Sequence, residues 1–116
     1  MDELPDINSG ISKPELFEKF KLQLQKDLEY CGLNGKIVPE LIPDYQLIVN
    51  VLHSELEKIT KISGKLSELL YRVDISETQI KKASASSSNS FNEIVAELIV
   101  KRELQKIIIK EHFKSK

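Results

Sequence analysis

Residues 45–73 read YQLIVNVLHSELEKITKISGKLSELLYRV. Counted in sevens, Tyr45, Leu52, Ile59, Leu66 and Val73 share one position, and Ile48, Ile62 and Leu69 share a second that only Glu55 interrupts. Apolar steps of three and four are what one side of an α-helix presents to a neighbour. At 1.5 Å per residue the stretch predicts a rod roughly 43 Å long, a spine on which shorter helices pack. Gly64 is the weak point, because glycine inside a helix costs about 1 kcal/mol relative to alanine. A kink or break at Ser63-Gly64 is the competing reading. The apolar phase runs through it unchanged, from Ile59 and Ile62 to Leu66 and Leu69, and that continuity favours one helix.

Outward from the spine, Pro43 and Asp44 suit its opening turn, and Ile37 to Pro43, with Pro39 inside, reads as an extended connector. Before it, Ser12-Lys13-Pro14-Glu15 reads as a helix start with a capping box. Phe17, Phe20, Leu24, Leu28 and Cys31 then form a narrow apolar stripe, and Gly32 is placed to end the helix in a left-handed turn. Residues 1–11 mix acids, Pro5 and Ser9-Gly10 without a period and predict a flexible arm, unless Leu4 and Ile7 dock on the bundle.

Beyond the spine, Ser76-Glu77-Thr78-Gln79 is a second capping box opening a short helix over 77–84. A serine-rich connector between Ser84 and Ser90 follows. Ser90-Phe91-Asn92-Glu93 opens the last helix, expected to about Phe113. Its apolar side changes midway. Phe91, Ile94, Val95, Leu98 and Ile99 share one face, whereas Leu104, Ile107 and Ile108 lie nearly opposite. Either the helix bends near Val100, or something other than the first face's neighbours covers the second half, and a second copy of the chain is the simplest cover. Leu104, Ile107 and Ile108 are therefore the candidate dimer interface.

The composition, 41% apolar and 30% charged with a net charge of −1, excludes disorder and any strong field toward nucleic acid or anionic lipid. The single cysteine, Cys31, rules out an intrachain disulfide. No apolar run is long enough to span a bilayer. The acidic first residues are unlike a signal peptide, so a cytoplasmic location is expected by elimination.

Catalytic signatures are missing: there is no phosphate-binding glycine loop, no Cys-x-x-Cys and no His-Glu-x-x-His. His53 and His112 stand far apart, and Cys31 lies on an apolar stripe where a packed thiol is the ordinary outcome. Glu93 and Glu97 are one turn apart without the histidine a helical metal site would want. No enzyme activity, metal or cofactor is expected. Glu55 either fixes register with a basic partner or meets water. Arg102, Lys106, Lys110 and Lys114 step by four along the last helix as a basic stripe, which usually only solvates a helix but could contact phosphates. Residues 66–94 could also be forced into a helix-turn-helix, with a very short recognition helix.

These readings predict an all-α protein: a small helical bundle of three main helices (about 13–31, 44–72 and 91–113) plus one short helix, organised around one long central helix. Residues 12–113 form the single domain between the arm and a 114–116 tail. The function expected is a non-catalytic protein–protein interaction or scaffolding module, a homodimer or bound to another protein and not to membrane. The alternative is a nucleic-acid-associated or regulatory protein using the C-terminal basic stripe.

Overall fold

The computed structural model describes residues 9–114. It is all-helical there: α1 (Ser9–Ser12), α2 (Pro14–Tyr30), a single 3-10 turn (Val38–Glu40), α3 (Tyr45–Ile59), α4 (Lys65–Val73), α5 (Glu77–Ala85) and α6 (Phe91–Lys114). The expected all-α bundle is present, but a different helix stands at its centre. α6 packs against α1, α2, α3, α4 and α5, and its side chains join those of α2 and α3 in one core containing Phe20, Leu24, Leu52, Leu56 and Ile99.

The spine is two helices. α3 ends at Ile59, where the Thr60 hydroxyl donates to the carbonyl of Glu57, a side-chain bond that competes with continued winding. Gly64 then takes φ +81°, a left-handed conformation that a straight helix does not contain, and α4 starts at Lys65. Ile62, which kept the apolar phase intact, lies in the intervening turn and is exposed. Ile48, Leu52, Ile59, Leu69 and Val73 are nevertheless buried. Glu55 makes a local pair with Lys58 Nζ at 3.3 Å, on its own helix, and among the described residues it forms no ion pair with another helix.

Helix ends follow local chemistry. The Asp44 carboxylate accepts from the backbone N–H of Leu47 at 3.1 Å, satisfying one of the free donors of α3. Gly32 closes α2 at φ +75°, with Gly32 N–H donating to Glu29 O and Leu33 N–H to Leu28 O, the paired bonds of a Schellman turn. Ser76 and Gln79 form the reciprocal capping box at α5. At α2 the expected box is absent: Ser12 belongs to α1, Lys13 occupies the capping position, and no side-chain cap bond forms.

α1 changes the account of both chain ends. Residues 1–8 of the expected arm, Leu4 and Ile7 among them, lie outside the described residues, but Ser9–Ser12 is a helical turn against α6. A Cβ placed on Gly10 would come 2.7 Å from Leu104 Cδ2, so glycine permits the close approach. Leu104, Ile107 and Ile108 are consequently interior residues of a single chain. The phase switch near Val100 arises because α6 is covered on both sides by its own chain. The dimer contact expected at Leu104, Ile107 and Ile108 therefore has no exposed surface there. The 114–116 tail lies outside the described residues apart from the last backbone position of α6.

Candidate functional site

α2, α4 and α6 converge on a buried knot of charge. Asp27 on α2 is 1% exposed, and Glu103 on α6 is fully buried. Asp27 accepts hydrogen bonds from Gln23 Nε2 (3.2 and 3.1 Å to its two oxygens), from Arg72 Nε at 2.9 Å and from Lys106 Nζ at 3.5 Å. Lys106 also lies 3.2 Å from Glu103 Oε1 and donates to the carbonyl of Arg72 at 3.4 Å. Alongside, Arg102 Nη2 pairs with Asp74 at 2.9 Å, and an ion pair joins Lys19 to Glu111.

The two buried carboxyl groups titrate in opposite directions. Burial chiefly, and then the neighbouring Asp27, pushes the Glu103 carboxyl up to about 8. For Asp27 burial is the largest influence and acts upward. The Glu103 hydrogen bond, then Gln23, Lys106 and Arg72, together outweigh it and hold the group below its ordinary value. A protonated acid beside an ionised one is the stable state of such a pair. It also accounts for the Glu103 oxygens: no donor among the described residues hydrogen-bonds to them with good geometry, yet the protonated group has an acceptor in Asp27. The Tyr45 hydroxyl is buried with no hydrogen-bond partner among the described residues, and burial followed by Glu97 pushes it up to about 12. Cys31 is held above the usual thiol range by burial and by Glu68.

Above this knot the surface is open. The Arg72 guanidinium lies 4.0 Å over the Tyr30 ring, so one residue joins the buried knot to the exposed aromatic. Two hollows, of about 690 and 580 Å³, share Tyr30 and Arg72; the first also carries Tyr71 and Cys31, the second Leu22 and Lys26. Tyr71 is 89% exposed, Tyr30 72% and Leu22 66%. Lys65 Nζ donates to the carbonyl of Cys31 at 2.7 Å, fastening the start of α4 to the end of α2.

The basic stripe is divided. Lys106 turns inward onto the buried Asp27, Arg102 pairs at the surface with the exposed Asp74, and Lys110 faces solvent beside Leu22. The Lys114 side chain lies outside the described residues. His53 Nε2 sits 3.4 Å from the Glu57 carboxylate on the flank of α3. Among the described residues no group of three or more His, Cys, Asp or Glu side chains could hold a metal ion, and no helix is long and apolar enough to cross a membrane.

Asp27 and Glu103 were not singled out in the sequence, although a signal existed. Phe17, Phe20, Leu24, Asp27 and Cys31 step by three and four, so Asp27 occupies a seam position of α2. Glu103 does the same between Val100 and Ile107. No family model matches the chain, and no curated protein or solved structure is similar to it.

Proposed function

We propose that the chain is a non-catalytic helical module that binds another protein on the face formed by α2 and α4. The observation that carries this reading is the grouping of exposed Leu22, Tyr30 and Tyr71 around Arg72, beside two adjoining hollows. Tyrosine and arginine are over-represented among the residues that carry most of the energy of protein–protein contacts, because they bring large area and few mobile torsions. Arg72 is held from below by Asp27 and from above by Tyr30. Little of its freedom remains to be lost on binding, which favours affinity. The non-catalytic part of the reading is supported by where the acids sit: Asp27 and Glu103 could exchange a proton, but they are closed to any substrate.

Affinity capture from the native cell tests the proposal, with wild type and a Tyr30→Ala/Tyr71→Ala variant as baits. Both tyrosines are exposed, so the variant keeps its fold by circular dichroism. It is expected to lose the proteins that the wild type captures. Equal recovery of the same partners by both baits would remove this face from the account.

A further inference from the structure

The groove between α2 and α6 carries an excess of charge of one sign. Lys19, Leu22 and Lys26 of α2 and Lys110 and Glu111 of α6 border a hollow of about 240 Å³ there. Residues 19, 22 and 26 are spaced by three and four, so they share one side of α2. Three lysines therefore meet a single carboxylate, in a chain whose net charge is −1. Glu111 pairs with Lys19. Lys26 and Lys110 are exposed and join no ion pair among the described residues. Leu22, 66% exposed, stands with them.

Like charges that a fold holds together raise the local concentration of ligands of opposite sign and speed their encounter. The class of ligand follows from what accompanies the cations. The groove shares Leu22 and Lys26 with the hollow that carries Tyr30 and Arg72, so cationic and apolar side chains run together along α2 for roughly 16 Å. A nucleic-acid backbone favours a row of cations, with arginine prominent and carboxylates absent. Here Glu29 and Glu68 border the neighbouring hollows, and Arg72 is already paired with Asp27. Carboxylate side chains interrupted by an apolar one match this surface better than a polyphosphate does.

We propose that the α2–α6 groove receives an acidic segment of a partner protein, with carboxylates against Lys26 and Lys110 and an apolar side chain against Leu22. The assignment rests on the reading of α2 and α4 as a partner-binding face. It adds the charge of the partner and the side of α2 over which the contact continues. Exposed ion pairs each contribute little, so the groove alone binds in the high micromolar range.

A fluorescently labelled peptide of Glu-Leu-Glu-Glu repeats is the probe. Its fluorescence anisotropy is followed with wild type, Lys26→Glu/Lys110→Glu and Lys81→Glu/Lys82→Glu. The two variants have the same net charge, but Lys81 and Lys82 lie on α5 beside the start of α6, and Lys110 is near its end. All four lysines are exposed, so both variants keep the circular dichroism of wild type. At about 0.1 M salt, charges more than about 10 Å apart are largely screened. The α5 variant is therefore expected to bind the peptide like wild type, and the groove variant about tenfold more weakly. No binding to wild type up to about 1 mM, an equal loss in both variants, or tighter binding of a single-stranded oligonucleotide than of the peptide would each overturn the proposal. Peptide binding through Lys26 and Lys110, with partner capture indifferent to Tyr30 and Tyr71, would keep this groove and remove the tyrosine face. Capture lost in the tyrosine variant, with no peptide binding by wild type, would do the reverse.

Discussion

Glu103 and Asp27 bring two carboxyl groups from different helices out of water, with Arg72 of α4 and Lys106 of α6 as the neighbouring cations. The number of protons they hold is therefore linked to folding. Glu103 in the folded chain keeps its proton up to about 8, against an ordinary value of 4.5 in the unfolded chain. Between those values the folded state binds the extra proton, and stability must fall as pH rises through the window. Asp27 has the opposite sign: its folded value lies below 3.8, so its stabilising contribution is present above that pH and is lost as pH falls through the lowered value. The pair predicts maximal stability near pH 4 to 5 and a loss of roughly 3 kcal/mol between pH 5 and pH 8. Urea denaturation at the two pH values reads this directly. Glu103→Gln, neutral at both, should flatten the profile and exceed wild type at pH 8. A wild type whose stability is unchanged or increases from pH 5 to pH 8 would show that Glu103 is ionised in the fold.

α3 and α4 show how much of an element is legible in residue pattern. Which side chains point inward was readable, since Leu52, Ile59, Leu69 and Val73 are all buried. Whether the backbone between them winds continuously was not, because a regular apolar phase can survive a turn that replaces one stretch of helix. Ser63-Gly64 carried the contrary signal, and the conformation of Gly64 settled the outcome. The two readings differ in sign at this residue. In a continuous helix Gly64→Ala would stabilise by about 1 kcal/mol. At φ +81°, with no neighbour within 4 Å of a built Cβ, the same change strains the backbone without any clash and should destabilise by about 1 kcal/mol. A rise in the thermal midpoint of Gly64→Ala would contradict the break between α3 and α4. Capping was the most readable local feature: Asp44 at α3 and Ser76 with Gln79 at α5 act through their own side chains as their spacing implied. The failure at Ser12 has a clear cause, since the preceding residues are themselves helical and leave Lys13 at the junction.

At the scale of the molecule, the centre of the bundle is α6, the helix whose apolar residues point both ways. A two-faced helix is buried all round in a globular protein; here α3 and its neighbours take one side while α1 and α2 take the other. That arrangement was hidden in the sequence because α1 lies in a stretch with no apolar period, and its contribution is a glycine that lets backbone approach Leu104. Ile108 separates this architecture from one in which the second half of α6 awaits another copy. On an exposed interface, Ile108→Lys would yield a folded monomer with near-normal stability. Inside the core it places an ammonium among apolar side chains with no partner provided, a change that typically exceeds about 4 kcal/mol against a total of roughly 5–15 kcal/mol for a domain. Thermal unfolding followed by circular dichroism should therefore find Ile108→Lys unfolded or deeply destabilised at 25 °C. A cooperative transition close to that of wild type would mean that α1 does not cover α6, and that the outer half of the central helix is free to meet another molecule.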